Sequence, residues 1–81
     1  MAWFVYMALC ADKSIYTGIT TNVQRRFREH MTGKGAKYTR AKQIRKILYT
    51  EKQRNRSFAL KREMEIKGWS REKKLKLAND W

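Results

Sequence analysis

Proline is absent from this 81-residue sequence, and cysteine and histidine occur once each, as Cys10 and His30. A lone cysteine closes no disulfide within its own chain. Together with a lone histidine it supplies neither a Cys-rich zinc site nor a histidine ligand pair. Acidic side chains are scarce, 7 against 20 Lys and Arg, which leaves a formal net charge of +13. Long apolar runs are missing as well. The longest follows Ala2, covers eight residues and has no basic segment before it, so it reads as a buried strand and not as a signal peptide or a membrane span. These absences predict a cytoplasmic protein with no membrane partner. For a +13 surface the default partner is a polyanion, nucleic acid ahead of anionic lipid.

What is present is core-forming material. Hydrophobic residues make up 42% and aromatic residues 12% of the chain, too much for a disordered basic tail. A chain of this length buries enough surface for one modest core, so residues 1–81 are expected to form a single domain. The charge is unevenly placed. Up to Gln24 the only charged residues are Asp12 and Lys13, whereas residues 25–46 carry nine basic side chains and one acidic. Single lysines and arginines commonly just solvate helix faces, but an excess of this size in a 9.8 kDa domain points to nucleic-acid binding.

Residues 3–9 are β-rich and apolar, 11–14 read as a turn built on Asp12, and 15–19 form a second strand, giving an antiparallel hairpin. Gly18 lies inside that second strand, where a glycine marks a bulge or a close approach to the backbone. Thr21 followed by Gln24 has the spacing of a capping box and predicts a helix to residue 31 with Val23, Phe27 and Met31 on its apolar stripe. Residues 32–39 read as a basic, glycine-containing loop able to approach a phosphate backbone, and 44–51 as a third strand. A helix capped by Asn55 or Ser57 runs to residue 67 and stops at Gly68, and Ser70 caps a last helix over 71–78. The order strand, strand, helix, strand, helix, helix describes an α+β domain, a small sheet with helices beside it.

Two helices place polar residues where apolar ones belong. At 100° per residue, Glu63 falls inside the arc of Ala59, Leu60, Met64 and Ile66, while Glu65 points the other way. A carboxylate there needs a cation, a metal or strong donors, or a place at the rim of a cleft. A structural salt bridge, with Arg26 among the available partners, accounts for it equally well. On the first helix Arg26 and His30 lie one turn apart beside Val23 and Phe27, facing the sheet, and Arg25 and Arg28 point outward. With Tyr6 and Tyr16 of the hairpin these residues make a phenol, guanidinium, imidazole and carboxylate set suited to phosphodiester chemistry.

At these residues the sequence resembles the GIY-YIG nucleases. Phe4-Val5-Tyr6 corresponds to the first signature element and Tyr16-Thr17-Gly18 to the second, with Phe4 and Val5 in place of the family's Gly and Ile. The stretches 18–30 and 33–40, then Ala59-Leu60-Lys61-Arg62-Glu63 and Ile66-Lys67, extend the likeness to the small stand-alone YhbQ-like members over almost the whole chain. The resemblance implies a three-stranded antiparallel sheet flanked by helices. It implies Tyr6 as the general base or the group that orients the attacking water, and Tyr16 as a residue lining the site and holding that water. Arg26 would bind the scissile phosphate, with His30 one turn later in the site. Glu63 would be the ligand of one divalent metal, Mg2+ or Mn2+.

Phosphodiester cleavage develops charge on phosphate oxygens, so a cation and a fixed guanidinium suit it better than covalent help does. A carboxylate, waters and phosphate oxygens suffice for magnesium, which dehydrates reluctantly. Tyrosine, with an ordinary pKa of about 10, needs nearby positive charge to act as a base, and Arg26 is the expected source. With the resemblance, these residues imply a metal-dependent DNA endonuclease, DNA ahead of RNA as substrate, and the resemblance implies a role in repair or recombination. The alternatives are a noncatalytic nucleic-acid-binding module of the same fold and, behind it, a basic scaffold or ribosome-associated protein. A catalytic module alone would select targets by shape, by single-strandedness or through a partner protein. Arg25, Lys34, Lys37 and Arg40 are the expected backbone contacts. Affinity for DNA should therefore fall log-linearly with salt, and a triple Ala variant at Lys34, Lys37 and Arg40 should bind more weakly at an unchanged melting temperature. Fluorescence anisotropy across a salt series checks this, and salt-independent binding contradicts it.

Overall fold

The hydrophobic N-terminal run is a strand because it is buried from both sides. In a computed structural model, which describes residues 2–31 and 43–79, β1 (Trp3–Cys10) is the middle strand of a three-stranded sheet ordered β2-β1-β3. Val5, Tyr6, Met7 and Ala8 are all at most 1% exposed, so the strand carries no solvent face and shows no apolar-polar alternation. β2 (Ile15–Thr20) pairs antiparallel on one side, with Tyr6 opposite Gly18 and Ala8 opposite Tyr16. β3 (Ile44–Gln53) pairs antiparallel on the other, and its register slips beside Met7/Ala8 and again beside Leu9/Cys10. The hairpin turn is fixed by Asp12, whose carboxylate accepts from the Ser14 amide and hydroxyl, and Lys13 takes a left-handed φ of 70°.

Side-chain alternation along β1 sorts the core into two clusters. Val5 and Met7 pack with Tyr49 and with Ala59 and Ile66 of α2 (Arg56–Lys67), and Trp69 and Leu77 flank them. Tyr6, Ala8 and Cys10 lie on the opposite face with Ile44, Tyr16 and Phe27, the last from α1 (Val23–Met31). Thus α1 covers the tyrosine face and α2, followed by α3 (Arg71–Asn79), covers the other. A three-stranded antiparallel sheet between helices is the α+β architecture expected. Among the described residues no helix is long and apolar enough to cross a membrane.

Local signals set most helix ends. Asn55 caps α2 by accepting from the Phe58 amide at 3.0 Å, and Ser70 caps α3 by accepting from the Lys73 amide at 3.2 Å. The start of α1 differs from the expected capping box: Asn22, and not Thr21, accepts from the Arg25 amide, at 2.9 Å. The Thr20 hydroxyl at the end of β2 holds the Asn22 amide at 3.1 Å, which moves the cap one residue along. Met64 departs from its expected place too, because α2 buries only the narrow stripe of Ala59 and Ile66 and leaves Met64 73% exposed. Arg62 flanks that stripe and ties α2 to β3, with its Nε 2.9 Å from a Glu51 oxygen and its guanidinium 5.1 Å from the Trp69 ring centroid. Burial alone would raise the pKa of Glu51, but Arg62, Tyr49 and Gln53 together hold its carboxyl below the ordinary range.

Candidate active site on the tyrosine face

The site is organised around a missing side chain. Gly18 stands directly across from Tyr6, and a Cβ placed on it would lie 2.8 Å from the Tyr6 Oη and 3.0 Å from both Tyr6 Cζ and Tyr16 Cε2. The phenol of Tyr6 occupies the space that any other residue at position 18 would fill, so the strand glycine marks a close approach. Around that phenol the rings of Tyr6, Tyr16 and His30 gather with centroids 5.7 to 6.2 Å apart. The Tyr6 Oη lies 3.0 Å from His30 Nε2, and the Tyr16 and Arg26 side chains lie close enough to shift its acidity.

α1 delivers two of these groups because Arg26 and His30 are one turn apart on its sheet side. Arg26 is also held by Glu29, Nη1 to Oε1 at 3.2 Å. Glu29 is a site residue beyond the expected set, and its i,i+3 spacing from Arg26 marks it as an anchor. His30 is 4% exposed, and its Nδ1 has no hydrogen-bond partner among the described residues. A buried N–H without an acceptor is rarer than a buried acceptor without a donor. We therefore assign the proton to Nε2, which donates to Tyr6 Oη.

These surroundings set the protonation states. Burial pushes the Tyr6 phenol well above the ordinary tyrosine range, Tyr16 adds to the shift, and Arg26 offsets only part of it. The expected activation of Tyr6 by positive charge is thus outweighed by burial, and Tyr6 is a neutral phenol at neutral pH. His30 shifts downward, mainly through burial and then through the charge of Arg26, with Glu29 opposing. It is a neutral imidazole at pH 7.

Glu63 arrives from elsewhere. It sits on α2, on the other side of the sheet from Tyr6, one turn from both Ala59 and Ile66, with its side chain 15% exposed. Its partner is Lys67, at 3.3 Å, while Arg26 pairs with Glu29. The structure therefore brings Tyr6, Tyr16, Arg26 and His30 into one cluster and leaves Glu63 outside it. Lys67 links the two regions, since it lines a cleft at the edge of β2 together with Tyr16. Arg25 is exposed at the start of α1, and Lys34, Lys37 and Arg40 lie outside the described residues. No group of three or more His, Cys, Asp or Glu that could hold a metal occurs among the described residues.

The buried imidazole makes stability depend on pH. The unfolded chain takes up the histidine proton near pH 6.5 and the folded protein does so only at lower pH. The stability from keeping His30 neutral is therefore complete above pH 6.5 and is lost as pH falls below it, until the folded pKa is reached. Thermal melts should show stability falling by up to about 1.4 kcal/mol per pH unit in that window, above the region where Glu51 protonates. His30→Gln should flatten the dependence, and a variant that keeps the wild-type slope contradicts the assignment.

Comparison with known proteins identifies the family. The model of the GIY-YIG catalytic domain matches residues 2–76. A UPF0213 protein of Haloquadratum walsbyi is 51% identical over 77 residues, covering 95% of this chain and 86% of the relative. A UPF0213 protein of Staphylococcus haemolyticus is 46% identical over 77 residues, covering 95% and 94%. Among solved structures, the UPF0213 protein BH0048 of Bacillus halodurans aligns with a TM-score of 0.60 at 42% identity, covering 98% of this chain and 84% of that one. A protein from E. faecalis, also solved by NMR, aligns with a TM-score of 0.66 at 40% identity over 99% and 85%. A tyrosine pair straddling a strand glycine, with an arginine from the following helix turned onto it, is thus found in a chain that belongs to the GIY-YIG family, among its small UPF0213 members.

Proposed function

We propose that the protein is a metal-dependent phosphodiesterase that cleaves DNA internally, acting in the cytoplasm and brought to its targets by a partner protein or by the shape of the DNA. The observation that supports this most is the convergence of Arg26, Tyr16 and His30 on the buried hydroxyl of Tyr6. Plain nucleic-acid binding gains nothing from a buried phenol and imidazole, whereas holding one guanidinium at a fixed point does gain from them. Arg26 is braced by Glu29 and Tyr6 while its side chain stays 28% exposed, so its outer N–H groups can meet a phosphate from solvent.

The neutral Tyr6 does not remove a proton as a phenolate. It orients: it accepts from His30, packs against the Tyr16 ring, and so sets where the Tyr16 side chain and the Arg26 fork stand relative to the scissile phosphate. His30 holds Tyr6 in that position. Glu63, beside Lys67 whose cleft also includes Tyr16, would hold a divalent cation that keeps most of its water, such as Mg2+ or Mn2+. That ion, when bound, would neutralise charge developing on the phosphate oxygens and make water a better nucleophile. Lys67, 54% exposed, is a partner that Glu63 can give up at small cost, since an ion pair of this kind contributes under about 1 kcal/mol.

Arg26→Ala should abolish metal-dependent cleavage of labelled single-stranded or branched DNA while weakening binding far less, because one contact of many is lost in the ground state. Glu63→Gln should lose the response of cleavage to Mg2+ and Mn2+ and the Mn2+-induced broadening of nearby amide resonances. Its melting temperature should hardly change, given the exposed partner. Wild-type protein that binds DNA but never cuts it with either metal would favour the binding-module reading. Glu63→Gln with normal metal dependence would remove Glu63 as the ligand.

A further inference from the structure

A cleft of about 460 Å³ opens at the free edge of β2, lined by Ile15, Tyr16 and Thr17 of the strand, Lys67 of α2 and Lys74 of α3. Among the described residues no carboxylate lines it, and the cations Lys67 and Lys74 reach it from different helices. Thr17 is 3% exposed, and its Oγ1 has no hydrogen-bond partner among the described residues. A buried hydroxyl left unpaired lacks an acceptor for its proton. Phosphate oxygens in the cleft would accept from both lysines, and from the Thr17 hydroxyl once its side chain turns toward the cleft.

The cleft shares Tyr16 with the cluster around Tyr6. A strand whose reacting phosphate sits on Arg26 and Tyr16 would therefore pass over the β2 edge. We propose that this cleft seats a second, uncleaved phosphate of the substrate strand, bound by Lys74, Lys67 and the Thr17 hydroxyl. This rests on the reading of the protein as a nucleic-acid phosphodiesterase and adds a site that sets where the strand lies relative to the cluster. It also gives Lys67 two alternative partners. In the free protein Lys67 holds Glu63 at 3.3 Å, and a phosphate in the cleft draws it away and leaves the carboxylate available to a cation.

The test is binding without metal, so that it does not depend on turnover. A labelled single-stranded oligonucleotide is titrated by anisotropy over a salt series with wild type, Lys74→Ala, Thr17→Val and Thr17→Ser, and amide spectra are recorded with inorganic phosphate and with the oligonucleotide. Lys74→Ala should weaken strand binding severalfold and reduce the magnitude of the salt slope by about 0.7, the value for one phosphate on a single strand. Thr17→Val should also weaken it, Thr17→Ser should not, and both ligands should shift the amides of residues 15–17. Wild-type affinity and slope in Lys74→Ala would overturn the proposal, and so would shifts with inorganic phosphate that the strand does not reproduce, which would mark a site for free phosphate. If Thr17→Val fails to fold, Lys74→Ala decides alone. A protein that never cleaves but shows the Lys74 dependence would fail the catalytic reading and keep this site.

Discussion

The contact between the Tyr6 hydroxyl and the bare backbone of Gly18 is the constraint on which the rest of the site depends. β1 is covered on both faces, so a tyrosine at position 6 has to bury its hydroxyl as well as its ring. Burial is tolerable because that hydroxyl meets His30, with Tyr16 and Arg26 close by, and the hydroxyl fits there because no Cβ stands at position 18. The same arrangement sets the acid-base character of the site. Deep burial keeps Tyr6 a phenol and His30 an imidazole, which makes them orienting groups and leaves Arg26 as the charged group facing solvent.

The chain divides its work by charge. Residues up to Gln24, with two cancelling charges, supply the hairpin and the tyrosines, and the positive charge resides on the later elements. This separation lets an aromatic cluster form on the sheet without being crowded by lysines, while a cationic surface surrounds it. Glu63, Lys67 and Lys74 come from the helices behind the sheet, and Tyr16 of β2 lies where the two sets meet.

Much of this was legible in the residues. Period and turn signals located the hairpin and β3, and Arg26 and His30, four apart beside Val23 and Phe27, had to face the sheet. Gly18 within a strand marked a close approach, though not which side chain would fill it. Other features depend on tertiary contacts that periodicity does not carry. The α1 cap moved to Asn22 because Thr20 grips its amide, and Met64 is exposed because the contact stripe of α2 is narrower than its wheel suggests. Positive charge near Tyr6 was a sound expectation and Arg26 is there, but the depth of burial that outweighs it depends on α1 docking over the sheet. The pairing of Arg62 with Glu51 joins residues eleven apart across a strand-helix connection, beyond the reach of helical spacing.

A double-mutant cycle between Gly18→Ala and Tyr6→Phe, read by denaturant unfolding, tests the central contact most directly. Gly18→Ala alone forces a methyl against the Tyr6 hydroxyl and should cost about 1–3 kcal/mol, the usual range for overpacking. Removing the hydroxyl relieves the closest clash, so the same glycine change should cost clearly less in the Tyr6→Phe background, with a coupling above about 0.5 kcal/mol. Additive effects, or a Gly18→Ala protein as stable as wild type, would contradict the account.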